Sequence, residues 1–308
     1  MTNLLYKPLV ISHAGCMDGL GALLAAQLIL GKGNFDIHLA AYGSQFPDVT
    51  DRIVFIFDFS YSRDVMLDII ANANQVWVVD HHATAEESLK DLACFTRFDK
   101  TKSGAVLAYE FLMQWKDVNT YNIPPILLYI QDRDLWEWKL PHSAEINEYF
   151  RTQIEYGDDE LVKSNLDALM SIHNETVLNG WDKFIRIGED RLRSKRRMVE
   201  NVLTKRFDVS VTLDGQAVQV AAAFAPNNIT SEVGGELAKL VPSGAGLVIT
   251  GMGMSPKFGM SVRGTKESGD LAKRIAESYG GGGHAQAAGC GLTNSQLCHL
   301  LKTAMAVN

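Results

Sequence analysis

Two apolar runs early in the chain stop on an aspartate: Arg52–Phe57 (RIVFIF) runs into Asp58, and Gln75–Val79 (QVWVV) runs into Asp80. Each is short for a helix and apolar at consecutive positions, the pattern of a strand covered on both faces of a sheet. Pro8–His13 (PLVISH) and Asp36–Tyr42 read as further strands, while Asp18–Leu30 and Val65–Asn72 between them read as helices. Short apolar strands alternating with helices specify an α/β fold with a doubly wound, mostly parallel sheet.

The pattern changes along the chain. Ser103–Trp115 and Pro124–Ile130 read as helices, and Thr152–Asn201 is helical in composition. That stretch ends in the basic run Arg191–Arg197, with Lys205 and Arg206 beyond it. The run reads as a solvated face of a connecting helix, or alternatively as a rim that guides anionic substrates. After residue 207, Val209–Leu213, Ala217–Phe224, Gly246–Gly251 and Phe258–Arg263 are strand-like. Ser231–Leu240 and Asp270–Tyr279 read as helices, the latter leading into Gly280–Gly283 and His284. The expected organisation is an N-terminal α/β domain over 1–150, a helical linker over 151–207, and a smaller α/β domain over 208–308.

Composition excludes several function classes. The formal net charge of −7 gives no bulk electrostatic grip on long duplex nucleic acid. Small anions remain possible ligands where bound cations invert the local sign. The four cysteines, Cys16, Cys94, Cys290 and Cys298, have no CxxC spacing, which argues against a disulfide framework or a zinc knuckle. No apolar run reaches the roughly 18 residues of a membrane span. The N-terminal stretch reads as a strand and not as a signal peptide. A reducing, cytoplasmic setting is expected.

The chemistry concentrates at strand ends. The first strand ends in Ser12-His13-Ala14-Gly15-Cys16-Met17-Asp18-Gly19, the second apolar run in Asp58, and the third in Asp80-His81-His82. An aspartate after a strand is ordinarily a turn or cap residue. Open α/β sheets, however, bind ligands at the carboxyl ends of their strands. One sheet would therefore deliver His13, Asp18, Asp58, His81 and His82 to one crevice. So many carboxylates together need cations to compensate them. Carboxylate with imidazole suits Mn2+, Mg2+ or Fe2+. Two such ions bridged by one carboxylate suit attack of an activated water on phosphorus.

The Asp80-His81-His82 triplet, the preceding His13…Asp18-Gly19 and the lone Asp58 resemble the DHH phosphoesterases. The Gly280-Gly281-Gly282-Gly283-His284 segment is similar to the companion C-terminal domain of the DHHA1 type. The resemblance spans nearly the whole chain, and its length is similar to that of short-oligonucleotide exonucleases and exopolyphosphatase-related proteins. It implies a DHH-type catalytic domain, a helical linker and a DHHA1-type substrate-binding domain, with Mn2+ at two sites, and Mg2+, Fe2+ or Co2+ as other candidates. It implies that Asp58 bridges two metals, that His81 and Asp18 bind the second and that His13 binds the first. The last ligand is implied to be Asp134, with Asp132 as the alternative. His82 is implied to contact the scissile phosphate. In the smaller domain, Ser261, Arg263, the backbone of Gly281, Gly282 and Gly283, and His284 are implied to hold substrate phosphate. Lys102, Ser103 and Gly104 resemble a segment beside the cleft, with Ser103 a candidate substrate contact. His82, Asp58 and Arg263 form the implied catalytic set.

The chain departs from the family at one point. The family's first motif carries two aspartates spaced Asp-x-Asp, and here Cys16 stands where the first is expected. Either Cys16 binds Fe2+, Zn2+ or Mn2+, or the first site fills only with substrate, or Cys16 is a bystander. Trp136 and Trp138 read as core or interdomain packing and not as a base-stacking platform.

The activity expected is metal-dependent hydrolysis of short oligonucleotides or phosphorylated nucleotides, with the smaller domain holding the distal part of the substrate. Phosphoanhydride hydrolysis is a rival, although a polyphosphate substrate would select a more basic second domain than Lys257, Arg263, Lys266, Lys273 and Arg274 provide. Opening of cyclic dinucleotides and a non-catalytic phosphate sensor are the others. The protein is read as a monomer or a homodimer.

Overall fold

A computed structural model describes residues 7–155, 159–251 and 258–305. Positions 156–158 of the expected linker and Lys257 lie outside them. The chain divides into two compact units, Met1–Arg191 and Leu192–Asn308.

The first unit begins with β1 (Leu9–His13), α1 (Met17–Leu30), β2 (Asp36–Ala40), β3 (Ile53–Phe57), α2 (Arg63–Asn72) and β4 (Gln75–Asp80). It continues through α3 (Ala83–Ser88), β5 (Phe95–Phe98), α4 (Gly104–Trp115), α5 (Pro125–Asp134), α6 (Ser143–Gln153) and α7 (Asp159–Asn179). The unit boundary falls within α8 (Asp182–Leu203). The strands form one parallel sheet in the order β2-β1-β3-β4-β5. Alternation along each strand fills two cores. Val10, Phe55, Phe57 and Val79 pack with α1, α4 and α5 on one face, whereas Ile11, Val54, Ile56 and Val78 pack with α2 on the other. Phe55 and Phe57 are fully buried, and each such side chain contributes about 1.5–3 kcal/mol. Val162, Leu166, Leu169 and Ile172 of α7 join the first of these cores.

The second unit carries β6 (Phe207–Leu213), β7 (Gln216–Phe224), α9 (Thr230–Lys239), β8 (Ala245–Gly251) and β9 (Phe258–Gly264). It ends with α10 (Leu271–Ser278), β10 (Gly282–His284), β11 (Ala287–Leu292) and α11 (Asn294–Met305). Its mixed sheet has the order β10-β11-β9-β8-β7-β6, and only β7 and β8 pair in parallel. The α/β class and the parallel first sheet are as expected from the sequence.

Three details differ. Most of the basic run is exposed, but Lys195 is buried and pairs with Glu232. Trp136 is not a core residue: it is 70% exposed and belongs to no core, and Trp138 is 38% exposed. The glycine run that the resemblance makes a phosphate-holding segment is partly a strand, since Gly282 and Gly283 enter β10. No described helix is long and apolar enough to cross a membrane.

Candidate metal centre

The register of the parallel sheet builds the site. Ser12 pairs with Phe57, and Phe57 with Val79, so the next residues along, His13, Asp58 and Asp80, emerge at one level. Asp58 adopts a left-handed backbone (φ 55°), a sparsely populated conformation for a residue other than glycine. Its amide donates to the Val79 carbonyl at 3.1 Å, which fixes the turn.

Two helix N-termini complete the first half. Cys16 is the N-cap of α1, its sulfur accepting from the Gly19 amide at 3.2 Å. It also lies 3.4 Å from His13 Nδ1 and 3.3 Å from Asp58 Oδ2. Asp18, in the first turn of α1, reaches the start of α4, where it accepts from the amides of Gly104 at 2.6 Å and Ala105 at 3.1 Å. Backbone donors at a helix N-terminus stabilise an anion in this way. A Cβ at Gly104 would sit 2.3 Å from Asp58 Cβ, so only glycine admits Asp58 here.

Among the described residues three groups of potential ligand atoms result, the atoms within each lying within 4.8 Å of one another: His13, Cys16 and Asp58; Asp18, His81 and Asp134; and Asp58, Asp80, His81 and His82. His81 Nε2 lies 3.2 Å from Asp58 Oδ1 and 3.7 Å from both Asp18 Oδ2 and Asp134 Oδ2. Asp58 therefore belongs to two of the groups and faces the third through His81.

The electrostatics are frustrated. Burial, followed by the Asp18, Asp134 and Asp80 charges, pushes the Asp58 carboxyl well above the carboxylate range. Burial and Asp18 push Asp134 up to about 6. Burial and the Asp58 charge push the Cys16 thiol up, and burial and His82 pull His13 down. Asp58 Oδ1 is buried without a hydrogen-bond donor. An orphaned carboxylate oxygen facing an imidazole nitrogen, among other carboxylates, fits ligands that await a cation.

His82 is placed differently. Its Nδ1 lies 2.7 Å from Asp80 Oδ1, and Asp80 also accepts from Ser60 Oγ at 2.7 Å and from the His81 amide at 2.7 Å. The Asp80 hydrogen bond pushes the His82 imidazole up, towards the charged form. The ring is 35% exposed, which leaves Nε2 for a ligand. Asp80 stands out in the sequence as the head of the triplet but without a role of its own, and Ser60 goes unnoticed there because no local signal marks it.

Several expected residues lie elsewhere. Asp132 is outside all three groups: it is buried, and its carboxylate accepts from the amides of Lys139 at 2.8 Å and Leu140 at 3.3 Å. Asp134, the last residue of α5, is the aspartate that joins His81. Ser103 is not available to substrate; it is fully buried and caps α4, accepting from the Val106 amide. Lys102 is taken up by Glu110 at 2.8 Å.

In the second unit, the Gly281 amide is not a free phosphate donor. Gly280 (φ 82°) and Gly281 close α10, their amides donating to Glu277 and Ala276 at 2.9 Å each. This is the ordinary way that glycine ends a helix. Cβ atoms at Gly281 and Gly283 would strike β11, whereas one at Gly282 would meet nothing within 4 Å. His284 is exposed at the end of β10. Arg263 donates to Ser261 Oγ at 2.8 Å, the Val262 carbonyl at 3.0 Å and Ser231 Oγ at 2.9 Å, all neutral partners, while the Glu232 charge favours its charged form.

No protein-family model matches the chain. It is 25% identical over 306 residues to an uncharacterized protein of Acanthamoeba polyphaga mimivirus, covering 94% of this chain and 68% of that protein. Among solved structures, it is similar to exonuclease RecJ bound to manganese, with TM-score 0.54 and 14% identity over 98% of this chain and 90% of that one. It is also similar to the pGpG-specific phosphodiesterase PggH from Vibrio cholerae, with TM-score 0.50 and 13% identity over 96% of each chain. These likenesses establish the fold.

Proposed function

We propose that the protein is a divalent-metal-dependent phosphoesterase that hydrolyses short oligonucleotides or phosphorylated nucleotides. The observation that carries this reading is Asp58: a buried carboxylate with one oxygen, Oδ1, left without a hydrogen-bond donor, between a His13–Cys16 pair and an Asp18–His81–Asp134 set. The solved structures of similar fold support it, one an exonuclease bound to manganese and one a phosphodiesterase.

His13, Cys16 and Asp58 would hold one cation, and Asp18, His81, Asp134 and Asp58 the other. When bound, such cations neutralise charge on a phosphoryl group and lower the pKa of water. The first set joins nitrogen, sulfur and carboxylate oxygen, and so favours Fe2+, Co2+ or Zn2+ over Mg2+. The second, all carboxylate and imidazole, suits Mn2+. His82 is a positioned donor. Asp80 holds Nδ1, so Nε2 donates to a phosphoryl or leaving-group oxygen as negative charge develops there. In this reading the second unit serves as a DHHA1-type substrate-binding domain, with Arg263 and Ser261 as its candidate phosphate contact.

The test is release of p-nitrophenol from bis(p-nitrophenyl) phosphate with added Mn2+, Co2+, Mg2+ or Zn2+. A panel of short oligoribonucleotides, nucleoside bisphosphates, cyclic dinucleotides and polyphosphate accompanies it. Metal-dependent turnover that Asp58→Ala abolishes supports the reading. Activity that survives Asp58→Ala sinks the proposed centre, and turnover of polyphosphate alone moves the assignment to phosphoanhydrides.

A further inference from the structure

The pocket that opens onto the second ligand set is not lined by acids alone. A cavity of about 460 Å³ is bordered by Cys16, Asp18, Arg133, Asp134, Trp136 and Arg151. This volume falls within the ~300–1,000 Å³ common for small-molecule sites. One part of the lining is thus ligand chemistry, and the remainder joins Trp136, Arg133 and Arg151 with Gly15, Met17 and Ile130.

The placement of Trp136 is costly and heavily constrained. Trp136 and Trp138 both have left-handed backbones, with φ 57° and 54°. For bulky side chains this conformation is disfavoured by ~1–3 kcal/mol and persists only where neighbours over-determine it. Asp132 provides that determination. Its carbonyl accepts from the amides of Glu137 and Trp138, and its carboxylate accepts from those of Lys139 and Leu140. The Trp136 amide donates to the Arg133 carbonyl at 3.0 Å, closing the turn. The Trp138 ring meets Trp136 edge-on, with centroids 4.9 Å apart at 78°. The loop is therefore pinned, while the indole it carries is 70% exposed. Arg151 is held at the rim by Glu148, 3.0 Å away.

The geometry points to Trp136 as a nucleobase platform beside the metal centre, with Arg133 and Arg151 taking phosphate. This rests on the phosphoesterase reading of the same pocket, and it narrows the substrate to one that carries a base next to the hydrolysed group. An exposed indole offers a π-face to any base, whereas inorganic polyphosphate has nothing to stack. Asp132 is a positioning residue for the platform.

The test compares binding of adenosine 5′-monophosphate and ribose 5-phosphate to the Mn2+-loaded protein by calorimetry, because the two share the phosphorylated sugar and differ at its anomeric carbon, which bears the base in one and a hydroxyl in the other. Wild type should favour the nucleotide by about 5- to 150-fold, the range that base stacking supplies. Trp136→Ala should bring the ratio to within about twofold, and Trp136→Phe should keep most of it, since a stacking face remains. Arg133→Gln should weaken both ligands alike. Equal binding of the two by wild type, a ratio unchanged in Trp136→Ala, or binding of neither ligand overturns the assignment. Base discrimination without turnover on the substrate panel would sink the phosphoesterase reading and leave the platform standing; turnover without discrimination would do the reverse.

Discussion

As sequence, the Asp58 corner of the first unit and the glycine corner of the other unit are alike: each is a short polar motif following a regular element. They differ in how far their groups are satisfied. Gly280 and Gly281 spend their amides on closing α10, and Gly281 and Gly283 are glycine because β11 leaves no room for a Cβ. Around Asp58 the reverse holds: carboxylates crowd together, one oxygen lacks a donor, and the backbone is left-handed. A motif whose members are satisfied by their own fold needs no ligand to explain it. A buried group left unsatisfied does.

The sharpest way to break this contrast is Asp58→Asn. Activity should fall by about a thousandfold or more, the scale of losing an electrostatic centre. The metal-free variant should nevertheless melt at a higher temperature than metal-free wild type, because a frustrated charge is gone. A lower melting temperature, measured by calorimetry in chelator, would mean that the corner is satisfied after all.

Asp80→Asn should act next most strongly. Asp80 pushes His82 up, so removing its charge lowers the imidazole's titration, which NMR of the metal-free variant would detect. The charged donor is then lost at lower pH, and the activity profile loses its alkaline side first. The rate near neutrality should drop by about 10- to 100-fold, within the range of general acid catalysis.

Cys16→Ser separates ligand from bystander. Co2+-loaded wild type should show a thiolate-to-metal absorption band that the variant lacks, and the variant's first site should move its preference towards Mn2+ and Mg2+. An unchanged cobalt spectrum would return Cys16 to a capping role alone.

The smallest effects test the glycines. Gly281→Ala should cost about 1–3 kcal/mol in urea unfolding, because its Cβ meets the Gly289 carbonyl at 2.2 Å. Gly282→Ala should change stability by less than about 0.5 kcal/mol and leave turnover intact. A large loss of activity in Gly282→Ala with normal stability would restore a phosphate-binding glycine loop.

Much of the site was legible in the chain. The runs ending at His13, Asp58 and Asp80 fix their own geometry, since parallel strands in register must deliver their next residues to one edge. The choice between Asp132 and Asp134 was not legible. Both lie in the last turn of α5, and only the loop amides of Lys139 and Leu140 decide which carboxylate is taken. Ser103 shows the same limit, since its burial depends on α4 docking against the Asp58 turn.

Sequence alone determined the α/β class, the parallel direction of short apolar strands, and the collection of acids and imidazoles at their ends, because these follow from periodicity and chain direction. Tertiary structure alone decided which of those groups stay unsatisfied, that Gly104 makes room for Asp58, and that Trp136 stands exposed beside Asp134. Those outcomes depend on the packing of residues distant in the chain, and local pattern carries no record of such contacts.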